Sequence, residues 1–441
     1  MKRRGAAGLT TAAPIRYAFP MERGFDQGWA RDRLLERFIR YARLDTTSDR
    51  HSATFPSSAG QLELGRMLAA ELHELGLAGV RPDEEGFLFV RLPANLPAGR
   101  KGVPEIALMA HLDTSDSAPG RDVRPIVHER YDGKPIRLQQ DVVLDPAEFP
   151  QLERYVGRTV ITSDGRTLLG ADNKAGVAEI MTAAEYLLAH PEIPHGQVSL
   201  YFTVDEELGT GMLRFPRSRA TARYCYTFDG DEEGVIEAEC FEGYKAQLTF
   251  TGRSIHTGVG RGKLVNAIEM AARFLALLPG AESPQATDGR YGFYFPLEIS
   301  GSLERAALEI YVRDFEDEEA LRRLEALRRM AQAVEAAHPG GRVEVATEKQ
   351  YSNLRRYLEP VPLVLELLER AIRETGIEPV RRSIRGGTDG ARLSEKGIPT
   401  PNVFTGGHNF HSRQEWAALP AMVRAVEAAV NLCQLWAESE R

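Results

Sequence analysis

Residues 198–204, Val-Ser-Leu-Tyr-Phe-Thr-Val, form a short uncharged run that stops at three consecutive carboxylates, Asp205, Glu206 and Glu207, with Gly209 just behind. A run this short, bounded by a turn signal, reads as a buried strand of a parallel sheet. That commits the chain to an α/β fold. It also places the acids just outside the carboxyl edge of the sheet, where open α/β folds hold their ligands. Three adjacent carboxylates repel one another and call for protons, cations or metal. A solvated acidic turn would give the same pattern, so the rest of the chain has to decide.

The arrangement recurs. Residues 87–92 and 106–110 read as strands, the second running into His111-Leu112-Asp113-Thr114, and 224–228 as a strand ending at Asp229-Gly230. Gly170-Ala171-Asp172-Asn173-Lys174-Ala175-Gly176 opens a helix from 176 to about 188. Apolar residues at helical spacing mark 28–45 (Leu34, Leu35, Phe38, Ile39, Tyr41) and 59–76 (Leu62, Leu64, Met67, Leu68, Leu72, Leu75). Residues 115–158 form a long excursion with short strands.

Near residue 243 the character changes. Strand 244–251, helix 265–278, strands 293–300 and 307–314, helix 318–337 and strand 342–347 follow in the order β-α-β-β-α-β of a ferredoxin-like unit. Helix–strand alternation then returns with helix 361–375, strand 397–404 and helix 418–438. The expected fold class is α/β, with a mixed, mostly parallel sheet flanked by helices. The catalytic domain is expected in two parts, 23–242 and 350–441, around an inserted α+β domain at 243–349. Residues 1–22 are expected to be a disordered extension. Gly8, Thr10 and Thr11 break what would otherwise be the apolar centre of a signal peptide.

Composition narrows the partners. The 441 residues are enough for two or three domains, and a 43% apolar fraction is ordinary for a globular protein. The net charge of −8, without long like-charge blocks, argues against nucleic acid or an anionic membrane as the main partner. Cys225, Cys240 and Cys433 are odd in number and lack CxxC spacing. They suit neither a disulfide framework nor a cysteine zinc site, and point to a reducing cytoplasm. No apolar run reaches the roughly 18 residues of a membrane span.

Taken singly, His111, Asp113, Asp172, Glu206, Glu207, Asp229 and His411 each have an ordinary explanation as a turn, cap or structural residue. Their repetition at one edge of one sheet is the signal, because strand ends converge in this architecture. A hydrolytic dinuclear site needs two ions roughly 3.5–4 Å apart, bridged by a carboxylate and a water. Each ion takes about four donors. Two histidines (His111, His411), two terminal carboxylates (Glu207, Asp229) and a bridging carboxylate (Asp172) supply that set. Glu206 then remains free as general base, and Asp113 can hold the second ring nitrogen of His111. No HExxH, P-loop or Gly-x-Ser-x-Gly offers a competing chemistry.

Five segments carry a family resemblance: 111–114 (HLDT), 167–176 (TLLGADNKAG), 202–209 (FTVDEELG), 385–391 (RGGTDGA) and 404–411 (FTGGHNFH). From about residue 28 to 438 the chain resembles the aminotripeptidase branch of the dinuclear zinc peptidase family that also holds aminoacylase, succinyl-diaminopimelate desuccinylase and glutamate carboxypeptidase. The last two segments are specific to that branch.

The resemblance implies two zinc ions per subunit, with Co2+ or Mn2+ as substitutes. One would be held by His111, Asp172 and Asp229, the other by Asp172, Glu207 and His411. It implies Glu206 as general base and Asp113 as the catalytic aspartate beside the first ligand. His256 of Ser254-Ile255-His256-Thr257-Gly258 would stabilise the oxyanion, and Arg313 and Arg385 would bind the peptide carboxylate. The inserted domain becomes a lid and dimerisation domain, so a homodimer is expected in which His256 serves a neighbouring subunit. The substrate would be a short peptide.

Two departures stand out. Asp116-Ser117 replaces the usual Pro-Asp after Ser115, and His408 stands where a tyrosine is common. His408 is read as lying behind the ligands rather than among them. A dipeptidase or an N-acyl amino acid deacylase would share the metal cluster but lacks the 385–391 segment. A non-catalytic peptide-binding relic would have no need of Glu206.

Overall fold

In the computed structural model, which describes residues 24–439, the strands Ile106–His111 and Val198–Thr203 are buried along their whole length. They pair in parallel, with His111 opposite Thr203. They lie within a seven-stranded sheet. Its order is Leu88–Leu92, Val198–Thr203, Ile106–His111, Tyr224–Gly230, Asn402–Phe404, Val235–Cys240, Val380–Ile384. Pairing is antiparallel at Leu88–Leu92 with Val198–Thr203 and at Asn402–Phe404 with Val235–Cys240, and parallel elsewhere. The sheet is therefore mixed and mostly parallel, as expected. The 198–203 strand nevertheless has an antiparallel neighbour on one side. The expected extension 1–22 lies outside the described residues.

Helices Gln27–Ala42, Ala171–Ala189, Leu363–Arg373 and Leu419–Glu438 share one core with the central strands. The first begins where the Asp26 carboxylate accepts a hydrogen bond from the Trp29 amide, and it buries Ala30, Leu34, Phe38 and Tyr41 at helical spacing. Buried Arg37 ties it to Glu71 at 3.1 Å and Glu185 at 2.6 Å, on two other helices. The Ala171–Ala189 helix approaches the Tyr224–Gly230 strand so closely that a Cβ at Gly176 would lie 2.1 Å from the Phe228 carbonyl oxygen. Gly176→Ala is expected to destabilise the protein by about 3 kcal/mol, the upper end of ordinary overpacking. A lower urea midpoint at unchanged slope would register it.

Residues 242–351 build a separate antiparallel sheet, ordered Phe293–Gly301, Arg305–Asp314, Glu242–Thr251, Arg342–Tyr351. Helices Ala267–Leu275 and Asp317–Ala337 cover it, with Leu248, Phe250, Phe274, Ile310, Leu324 and Leu327 in its own core. The first and third strands in sequence are central and adjacent, as the β-α-β-β-α-β order requires of a ferredoxin-like unit.

Three pieces of structure were not anticipated. Val235–Cys240 alternates Glu237 and Glu239 with smaller residues, and Glu237 points inward, where Asn402 Nδ2 donates to it at 2.5 Å. Burial pushes that carboxyl up to about 8. Val380–Ile384 is an exposed edge strand with no apolar period to read. A small sheet of Gly407–His408, Trp416–Ala418, Val160–Thr162 and Ile126–His128 is made of strands too short to carry a pattern. Among the described residues no helix is long and apolar enough to cross a membrane.

Candidate metal centre

Five side chains converge where the sheet ends. His111 closes its strand, Asp229 lies near the end of Tyr224–Gly230, and Glu207 follows Val198–Thr203. Asp172 projects from the first turn of Ala171–Ala189, where the backbone leaves helical geometry at Asp172 and Asn173. His411 comes from the loop joining Gly407–His408 to Trp416–Ala418. His111 Nε2 lies 3.0 Å from Asp172 Oδ1 and 3.3 Å from Asp229 Oδ1. His411 Nε2 lies 3.1 Å from Asp172 Oδ2 and 3.0 Å from Glu207 Oε2. Each oxygen of Asp172 thus faces a different imidazole, and each imidazole has a second carboxylate of its own.

The electrostatics follow from crowding. Burial opposes charge on His411, yet its hydrogen bonds to Asp172 and Glu207 hold the imidazole up at about 11. Against the same penalty, Asp229 and the bonded carboxylates raise His111 well above the usual range. Burial, with the Asp172 charge adding to it, pushes Glu207 up to about 7. Burial likewise raises Asp229 to about 6, with His111 pulling the other way. Glu206 is raised well above the carboxylate range, chiefly by burial, with His111 opposing and Asp229, Asp389 and Glu207 adding.

The donor set suits divalent ions. Ligand atoms of His111, Asp172 and Glu207 lie within 4.8 Å of one another, and Glu207 Oε1 is buried without a hydrogen-bond partner. Tetrahedral bonds of about 2.0–2.2 Å place two donors roughly 3.3 Å apart. The four imidazole–carboxylate separations, 3.0 to 3.3 Å, lie at or just below that spacing. His111 is 2% exposed and His411 45%, so one position is deep and the other opens to solvent. A cleft of about 570 Å³ adjoins His411, lined by Ser117, Pro119, Val143, Arg413 and Gln414.

The acidic run divides cleanly. Asp205, at φ +52°, turns away, and its carboxylate accepts from the Ser57 amide, Ser57 Oγ at 2.5 Å and Gln61 Nε2 at 2.7 Å. The Asp113 carboxylate accepts from the amides of Glu206 and Glu207, each at 3.1 Å, and lies 3.3 Å from His111 Nδ1. It holds the backbone of both glutamates and the Nδ1 edge of the His111 ring. Glu206 enters none of the ion pairs that join the five clustered residues.

Other expected residues stand apart. His256 is exposed, and its Nδ1 accepts from the Gly258 amide. Arg313 is buried; its Nη1 donates to the carbonyls of Tyr244 and Val312, and the guanidinium lies over the Tyr311 and Tyr351 rings. Arg385 donates to the carbonyls of Gly289 and Tyr291 and to Thr287 Oγ1, tying the 385–391 segment to the inserted domain. The structure brings neither guanidinium into the cluster. His408 lies outside the cluster, stacked on Trp416 with centroids 4.0 Å apart, and burial pushes it down to about 4. Asp116 is held bidentately by Arg50 at 2.8 and 2.9 Å.

Two acids near the centre were not singled out in the sequence. Asp389, inside the RGGTDGA segment, is buried with Oδ2 unpartnered, and burial pushes it up to about 7. Glu415 is buried and accepts three backbone amides of the Asp172 loop. Its only sequence signal was its place four residues beyond His411.

Comparison with known proteins gives a consistent result. The model of Peptidase family M20/M25/M40 matches residues 162–435. Peptidase T of Listeria welshimeri is 44% identical over 412 residues, which are 93% of this chain and 100% of that protein. A tripeptidase from Staphylococcus aureus superposes with a TM-score of 0.73 at 21% identity, covering 93% of this chain and 99% of the other. The YXEP protein of Bacillus subtilis, a dinuclear metal binding peptidase from the M20 family, superposes at 0.62 and 16% identity, covering 93% and 99%. These structural likenesses bear on the fold alone.

Proposed function

The chain belongs to peptidase family M20/M25/M40, and we propose that it is a metal-dependent aminotripeptidase that releases the N-terminal residue of short peptides. One observation carries the assignment of the centre. The two oxygens of Asp172 face two different histidines, each backed by its own carboxylate. His111, Asp172 and Asp229 would hold one ion, and Asp172, Glu207 and His411 the other. Zinc suits these donors, and cobalt or manganese can replace it. Bound there, two such ions polarise a peptide carbonyl and bring the acidity of a water toward neutral pH.

Glu206 stands beside the cluster and outside its ion pairs. It takes the proton from the attacking water and returns it to the leaving amine. Asp113, through the two amides it binds, keeps Glu206 and Glu207 pointing in their separate directions. His256 stands exposed in the inserted domain with no bond to its own cluster. That supports its serving as oxyanion donor to a second subunit, with the inserted domain as lid and dimer contact. Three free, buried cysteines suit a reducing cytoplasm.

The tripeptide preference rests on the 44% identity to a peptidase T over nearly the whole chain. Metal-reconstituted protein should hydrolyse free tripeptides faster than matched dipeptides, tetrapeptides or N-acetylated peptides. A dipeptidase would reverse the first ranking. Preference for the acetylated series would make the protein a deacylase instead.

A further inference from the structure

Asp172 stands in an irregular turn ahead of the regular helix. Gly170 is at φ +80°, and the backbone leaves helical geometry at Asp172 and Asn173. Buried amides in such a turn need acceptors that the helix does not supply. Here the acceptor comes from far along the chain. Glu415 Oε2 accepts from the amides of Leu169 and Gly170, both at 2.7 Å, and Oε1 from the amide of Asp172 at 3.0 Å. Register puts it there, because Trp416 pairs with Thr162, so the residue just before Trp416 lies beside the segment leading to Asp172. The nearby cation is buried Lys174, whose Nζ donates to the Leu44 carbonyl at 2.5 Å.

Glu415 therefore sits on the loop that supplies His411 while gripping the backbone of the residue that faces both His411 and His111. We infer that Glu415 is a positioning residue for the two-ion centre, holding the shared carboxylate of Asp172 in the one orientation that serves both ions. This rests on the two-metal reading above. Glutamine at 415 keeps the volume, but its single amide oxygen cannot accept from both sides, and its NH2 would face a backbone N–H. Hydrogen-bond partners of this outer kind typically govern metal affinity by about 10–100-fold.

The test uses the full-length protein, stripped of metal and titrated with Co2+ against a competing chelator. Visible absorption is recorded alongside, together with thermal melting of the metal-free forms. Wild type should bind two Co2+ per chain. Binding of fewer would overturn the two-metal reading itself, and with it this inference. E415Q is expected to bind Co2+ about 10–100-fold more weakly with an altered spectrum, while its metal-free form melts close to wild type. Two Co2+ bound by E415Q with wild-type affinity and spectrum would reject the inference and leave the two-metal reading standing. A lower melting temperature with unchanged Co2+ binding would reduce Glu415 to a structural role. If E415Q does not fold, E415D, which keeps the charge but is one methylene short, is judged by the same affinity and spectrum. Wild-type values for it reject the inference.

Discussion

Asp172→Ala is expected to empty both metal positions at once. After equal dialysis, wild type should retain two ions per chain and the variant close to none. The reason is geometric, since Asp172 offers Oδ1 toward His111 at 3.0 Å and Oδ2 toward His411 at 3.1 Å. Losing a ligand itself should cost more than the roughly 10–100-fold associated with losing an outer hydrogen-bond partner. Removing the shared acid also leaves His111 with Asp229 and His411 with Glu207, two half-sites without a common donor. Atomic emission on the dialysed proteins measures the result. A variant that keeps one ion at wild-type affinity would show that Asp172 serves a single position. Asp172→Asn, nearly the same size, separates loss of the donor from loss of volume.

Glu206→Gln is expected to do the opposite: both ions stay, and turnover falls. A positioned acid–base group typically contributes about 10²–10⁴-fold, and kcat should drop within that range with little change in KM. The contrast with Asp172→Ala follows from contacts, because Glu206 joins none of the cluster's ion pairs while its backbone is fixed by Asp113. Metal content and kcat measured on one preparation decide it. Wild-type kcat with full metal would remove Glu206 from the chemistry. Full loss of metal would make it a ligand.

How far the sequence reaches depends on the kind of information each element carries. Ile106–His111 and Val198–Thr203 were legible because burial on both faces excludes charge, and an abrupt polar stop marks the strand's end. The four-stranded sheet of residues 242–351 was legible from the order of its elements. Val380–Ile384 was not, because an exposed edge strand needs no apolar residues. Val235–Cys240 was hidden by Glu237, an inward carboxyl made tolerable by Asn402, a partner 165 residues away. The same applies at the centre. The five converging side chains could be picked out because metal chemistry favours a few residue types, and these stand at or beside strand ends. Glu415 could not, since what identifies it is the three amides it grips, and amides belong to every residue.

The strand Asn402–Phe404 lies between Tyr224–Gly230 and Val235–Cys240, two strands separated by four residues in sequence. A ribosome-bound chain that has not reached residue 400 therefore carries an open slot in the middle of its sheet. His411 and Glu415 are made later still. Until those segments emerge, Asp172 and Glu207 lack the His411 imidazole beside them, and the Asp172 loop lacks the Glu415 carboxylate that accepts its amides. Such distant pairing folds slowly. It also means that a growing chain cannot assemble this cluster before residues 402–415 have emerged.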